Sequence, residues 1–253
     1  MSFLSIVSML QLYTMIPKII WQTHEVDRDR LPLFMQEISN TWINLNPEYT
    51  YIYMNAEERR SEVKNYLKNE EDLEQYDSLR GMFQADMWRY IMLYKHGGFY
   101  ADMDSICTMS LKTMMELKYN NETLIAIAKT PPPLRFCPSC GARNNTMTRH
   151  KEFVNNANFG CIKESLLVKK IIDIAIDTMS GKIHQSIGPV IFSDVVLDNQ
   201  NICGFFMDDA AIHDHNFQTD LFLLKKENNL IVNYLGKEIS YYDLLEGLPN
   251  NDS

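Results

Sequence analysis

Gln84–Asp104 reads QADMWRYIMLYKHGGFYADMD. Phe83, Met87, Tyr90, Ile91 and Tyr94 fall on one stripe at helical spacing, which predicts a helix over Gly81–His96. Gly97 suits the left-handed position that ends a helix. Phe99–Asp104 then reads as a strand whose last residues include two acids. Along it Phe99, Ala101 and Met103 face one way, and Tyr100, Asp102 and Asp104 the other.

The flanking sequence supplies partners for this unit. Ile16–Gln22 (IPKIIWQ) reads as a buried strand entered through a proline. Leu31–Leu45 carries Phe34, Ile38, Trp42 and Leu45 at helical spacing and stops before Pro47. Tyr49–Met54 has the β-branched and aromatic character of a strand. Asn55 and Glu58 form a capping-box pair that opens a charged helix over Ala56–Asn69. This β-α-β-α order predicts an α/β fold with a mainly parallel sheet flanked by helices. Further on, the pattern predicts helices at Leu111–Tyr119, Glu164–Met179 and Val190–Leu197, strands at Thr123–Ala128 and Asn158–Ile162, and a long loop over Thr130–His150. There is no internal repeat and no linker. The division expected is an apolar extension at residues 1–15 and one domain over 16–253.

Charge placement is the functional signal. Asp86 and Arg89 sit three residues apart on an otherwise apolar helix, hence on one face. Buried charges of this kind cost free energy unless paired. They either satisfy each other or serve a ligand, Asp86 accepting from hydroxyls and Arg89 presenting its planar fork to phosphate or sugar oxygens. Asp102 and Asp104 repel unless one is protonated or a cation lies between them. Mg²⁺ and Mn²⁺ suit such oxygen ligands, and they bind through one or two carboxylates plus substrate phosphates. A bare Asp-x-Asp is commonplace; its meaning here comes from the helix and turn before it.

These segments together resemble the DXD-containing sugar transferases, glycosyltransferase family 32, and the glucosyltransferase domains of large glucosylating toxins. The match runs through IPKIIWQTHE, TWINLNPEYTYIYMN, QADMWRYIMLYKHGGFYADMD, NNANFG and SIGPVIF, in that order. The resemblance implies a GT-A-like nucleotide-binding fold, a nucleotide-sugar donor carrying UDP or GDP, Mn²⁺ or Mg²⁺, and transfer to a hydroxyl of a carbohydrate or protein-linked glycan with retention of configuration. It implies that Asp86 and Arg89 bind donor sugar and phosphate. Asp102 addresses ribose and sugar hydroxyls, Asp104 ligates the metal, and Asp102, Asp104 and Arg89 are the catalytic set. Ile20, Trp21 and Gln22 line the base pocket, partly through backbone, and Asn158 touches the sugar. Gly188 and Pro189 shape the acceptor wall. The family's C-terminal closure is missing, so His213, His215 and Asn216 are candidates for the remaining metal ligand, with exposed loop residues as the alternative. Competing readings are a metal-dependent phosphoesterase and a non-catalytic binding module.

Composition is consistent with an ordinary globular chain: 253 residues, 45% hydrophobic and 23% charged. A formal net charge of −9 with no basic stripe argues against a nucleic-acid partner. Five cysteines cannot all pair within one chain, which points to a reducing, cytoplasmic compartment. Cys137 and Cys140 have the spacing of half a zinc knuckle; structural zinc, a redox pair and plain loop thiols all remain open. The first 16 residues, MSFLSIVSMLQLYTMI, lack the positive start of a secretory signal. They are read as a helix packed on the body or as a contact with a membrane surface. Most tyrosines and tryptophans sit at packing positions, Trp42 and Trp88 included, with Trp21 set aside as a ligand-facing candidate.

Overall fold

The computed structural model describes residues 15–107, 109–118, 124–126, 129–130, 153–181, 187–199, 203–205, 223–226, 229–234 and 237–240. Strand β1, Ile19–Thr23, is buried along nearly its whole length because it has neighbours on both edges and helices on both faces. It pairs in parallel with β2, Thr50–Met54, on one side and with β3, Gly98–Ala101, on the other. Beyond β3 lies β7, Asn158–Cys161, and then β4, Leu124–Ala126, and β8, Cys203–Phe205. The order β2-β1-β3-β7-β4-β8 gives a six-stranded mixed sheet in which β7 alone runs against the other five. β5, Lys129–Thr130, pairs with β6, Phe153–Val154. β9, β10 and β11, Leu223–Lys226, Asn229–Tyr234 and Lys237–Ser240, form a separate antiparallel sheet.

Side-chain alternation divides the core between the two faces of the main sheet. Ile20, Phe99 and Ala101 point to one face, where they meet Trp42 of α1, Leu33–Leu45, and Leu111 and Met114 of α5, Leu111–Lys118. Trp21, Tyr100, Phe159 and Cys161 point to the other, into the largest cluster. That cluster is closed by α4, Gly81–His96, with α6, Leu166–Met179, and α7, Pro189–Asp198. Every residue of α4 from Asp86 to Leu93 is buried, as expected of a helix apolar on all sides.

Two glycines fix the join between α4 and β3. Gly97 and Gly98 have φ of +69° and +102°. A Cβ on Gly98 would lie 2.6 Å from the Ile19 carbonyl oxygen, and one on Gly97 2.7 Å from the Lys163 nitrogen. The Gly97 carbonyl accepts from Trp21 Nε1 at 2.9 Å, tying β1 to the end of the helix.

Among the element boundaries that differ from the sequence reading, two have a visible cause. The predicted helix Ala56–Asn69 stops at Leu67, where Lys68 adopts φ +58°. Asn69 then caps a further helix, α3, Glu70–Asp77; α2 is Ala56–Leu67, opened by the expected Asn55–Glu58 capping box. The predicted strand Phe99–Asp104 ends at Ala101, and Met103 and Asp104 lie in a turn closed by the Ser105 N–H on the Asp102 carbonyl at 3.1 Å.

Candidate functional site

The turn after β3 opens into a cavity of about 360 Å³ at the strand ends, a size within the usual range for ligand sites. Asp86, Arg89, Asp102 and Asp104 all line it. Sheet order explains the convergence. Thr23, His24 and Glu25 leave the C-terminal end of β1, and the acidic turn leaves the same end of β3. Asn155 and Asn156 enter β7, whose direction is reversed. Pro189, the first residue of α7, completes the far wall.

Arg89 is the hub. Its Nη2 lies 3.1 Å from Asp86 Oδ1, and its Nη1 lies 3.1 Å from Asp102 Oδ1. Nη1 also donates to the Asn156 carbonyl at 2.7 Å, and the guanidinium sits 4.2 Å from the Tyr100 ring centroid. Burial opposes charge on this group, but Asp102, Tyr100 and Asp86 outweigh it and hold the guanidinium charged well above its ordinary range. The Tyr100 hydroxyl donates to Asp102 Oδ1 at 2.5 Å. Burial pushes the Tyr100 and Tyr90 phenols well up, so both act as neutral donors. Asn156 Nδ2 donates to Asp86 Oδ1 at 2.8 Å and to the Tyr90 oxygen at 2.7 Å, while the Tyr90 hydroxyl donates to the Gly188 carbonyl at 3.2 Å. A network of this kind, with each charge partnered, holds its acids in one geometry.

Several expected placements change. Ile20 and Trp21 do not line the cavity: their side chains enter the two cores, and Trp21 packs edge-on to Trp88. The cause is their alternation on a strand covered on both faces. Gln22 is fully buried, with Nε2 on the Asp102 carbonyl at 3.1 Å and Oε1 accepting from Tyr51 at 2.8 Å, so it braces the acidic turn from beneath. The three residues that follow, Thr23, His24 and Glu25, line the cavity instead. Asn158 points to Ser105 Oγ at 3.0 Å and is replaced in the lining by Asn155 and Asn156. The terminal nitrogens of Arg89 meet oxygens of Asp86, Asp102 and Asn156, where the sequence reading had them meet phosphate or sugar oxygens. Gly188 backs Asp86: a Cβ there would lie 2.3 Å from Asp86 Oδ2. His213, His215, Asn216, Cys137, Cys140 and the segment 1–14 lie outside the described residues. Cys107, Cys161 and Cys203 are buried free thiols.

Sequence reasoning missed Arg59. It lies in a helix that reads as charged, yet it is 1% exposed and lines the cavity. The available signal was Val63 one turn on, buried on the same face. Among the described residues no helix is long and apolar enough to cross a membrane.

Gly188→Ala gives a direct check on the wall. A Cβ there would lie 2.3 Å from Asp86 Oδ2, so Asp86 must move away from the new methyl. Overpacking of this type costs about 1–3 kcal/mol. The expected result is a lower melting temperature; a variant that melts like the parent would show that Asp86 does not sit against Gly188.

Residues 32–124 match the family model described as a glycosyltransferase sugar-binding region containing a DXD motif. Inositol phosphoceramide mannosyltransferase 3 of Schizosaccharomyces pombe is 32% identical over 133 residues, 52% of this chain and 33% of that protein. The initiation-specific alpha-1,6-mannosyltransferase of Candida albicans is 27% identical over 113 residues, 43% of this chain and 29% of that protein. The chain thus spans about a third of the length of these relatives. The solved PaToxG glycosyltransferase shares the fold, with a TM-score of 0.50 at 14% identity, covering 79% of each chain. Residues 32–124 are thus similar to the DXD-containing sugar-binding region of glycosyltransferases, and the chain has a GT-A-like fold.

Proposed function

We propose that this protein transfers a sugar from a nucleoside diphosphate donor to a hydroxyl acceptor, with a divalent cation and with retention at the anomeric carbon. The observation that carries the reading is the cavity lined by Asp86, Asp102 and Asp104, the first two paired with one buried, charged Arg89. The names of the mannosyltransferase relatives support glycosyl transfer.

The donor set fits a cation that arrives with its ligand. Among the described residues no three His, Cys, Asp or Glu side chains converge on one point. Mn²⁺ and Mg²⁺ are commonly held by one or two carboxylates together with substrate phosphates. Asp104 and Asp102 would supply the protein oxygens, Asp104 as the direct ligand. When bound, the cation acts as a Lewis acid that neutralises charge on the departing diphosphate.

The chain's own groups do the rest. Arg89 and Tyr100 fix Asp102 Oδ1, which orients the remaining carboxylate oxygen toward donor hydroxyls. Asp86, clamped by Arg89 and Asn156, accepts from sugar hydroxyls and sets the ring's position. Pro189 and the backbone of Gly188 bound the side from which the acceptor enters. Attack by the acceptor hydroxyl on the face the diphosphate leaves, with the diphosphate taking its proton, asks of the protein only positioning and charge stabilisation.

A panel of UDP- and GDP-sugars incubated with Mn²⁺ tests this. At least one should be hydrolysed or transferred in a metal-dependent way, and the product should keep the donor's anomeric configuration. Turnover that persists in chelator, or release of phosphate from simple esters alone, would point to another enzyme class.

A further inference from the structure

The cavity has a second charged pole that the reaction itself does not use. It is built by Thr23, His24, Glu25, Arg59 and Gly81. Arg59 Nη2 pairs with Glu25 Oε1 at 2.6 Å, and Nη1 donates to Thr23 Oγ1 at 3.2 Å. Arg59 is 1% exposed, whereas the Glu25 side chain is 52% exposed. The guanidinium therefore holds one oxygen of a carboxylate that faces the open cavity. Two further polar atoms of this pole, Arg59 Nε and His24 Nδ1, are buried without a protein partner. Buried polar atoms left unpartnered on lining residues point to a ligand or to ordered water.

Sheet order sets which part of a donor meets this pole. Glu25 follows β1, and Arg59 comes from the helix after β2. The acidic turn follows β3, and Asn156 and Pro189 lie beyond, beside β7 and α7. A diphosphate over the acidic turn, with its sugar toward Asp86 and Asn156, sends the nucleoside toward β1 and β2. The exposed charge there is the Glu25 carboxylate, which only accepts hydrogen bonds, while the Arg59 guanidinium is buried behind it. Guanine presents two adjacent donors, N1–H and the N2 amino group, and a carboxylate can accept both. Uracil presents one donor between two carbonyl oxygens, and those oxygens are repelled by the same carboxylate.

We propose that Glu25, held in place by Arg59, reads the N1–H and N2 amino edge of guanine, so that the donor is a GDP-sugar. This rests on the transfer reading above and deepens it. Arg59 acts as a positioning residue, and Glu25 as the residue that touches the base.

The test is binding of GDP, IDP and UDP to the whole protein in the presence of Mn²⁺. IDP keeps N1–H and lacks the N2 amino group. Hydrogen bonds to a charged acceptor are worth enough that GDP should bind about 10- to 100-fold more tightly than IDP, and more tightly than UDP. Glu25→Gln, which keeps an acceptor for Arg59, should weaken GDP, close the gap between GDP and IDP, and leave UDP no weaker. The UDP arm separates lost recognition from lost folding. UDP binding as tightly as GDP, or a GDP–IDP gap that survives in Glu25→Gln, overturns the assignment and leaves the transfer reading standing. Failure of all three diphosphates to bind overturns both.

Discussion

Asp104→Asn should abolish metal-dependent turnover while leaving the fold intact. Asparagine keeps the size of the side chain and removes the charge that would meet the cation. Losing one preorganised group at a site of developing charge costs about 10²–10³-fold in kcat, and losing the ion's Lewis acidity adds to that. Asp104 lies half-buried in a turn after β3, outside the strands and helices that carry the core. Turnover should therefore collapse with an unchanged melting temperature. Asp102→Asn is the contrast, because Asp102 also pairs with Arg89 and Tyr100 and should lose stability as well. An Asp104→Asn enzyme with a near-parental rate would show that the acidic turn does not carry the metal.

Arg89→Met should have the largest effect on stability. Methionine fills much of the volume but strands two carboxylates, and Asp86 among them is 6% exposed. Removing one partner of a buried ion pair costs about 3–5 kcal/mol. In a chain of this size each kcal/mol shifts the melting temperature by about 2–4 °C, so a fall of about 6–20 °C is expected. The sign of the pH dependence is informative. A buried Asp86 that keeps its Asn156 bond but loses its countercharge has a raised folded-state pKa, so the folded variant binds protons that the unfolded chain has released. Its deficit should grow as pH rises through neutrality and shrink toward pH 5. Arg89→Lys should recover part of the stability without recovering donor binding, since one ammonium cannot bridge Asp86 and Asp102 as the fork does. A stable, pH-insensitive Arg89→Met protein would contradict the hub.

Features that depend on neighbours in sequence were legible before the structure. Asp86 and Arg89 meet because three residues is one helical turn. The Gly97–Gly98 stop follows from the need for positive φ. Features set by neighbouring elements were not. Trp21 looks available on a short strand, but a sheet covered on both faces buries both sides of β1. The acids were read onto a strand, but the chain turns after Ala101, where Gln22 from β1 bonds the Asp102 carbonyl. Asn158 and Asn156 are equivalent in sequence; the register that pairs Asn158 with Ala101 puts the first in the ladder and frees the second to hold Asp86. Arg59 hid within a run of charges, where Val63 one turn on is the local sign that α2 turns this face inward.

The central claim is that the acidic turn and a cation together hold a diphosphate. Crystals grown with Mn²⁺ and a nucleoside diphosphate, with diffraction measured at the manganese edge, test it most directly. The anomalous peak should lie about 2–2.5 Å from an Asp104 carboxylate oxygen and from the diphosphate, at the distances such ions require. A diphosphate bound elsewhere, or bound over the turn with no ion between it and Asp104, would contradict the account.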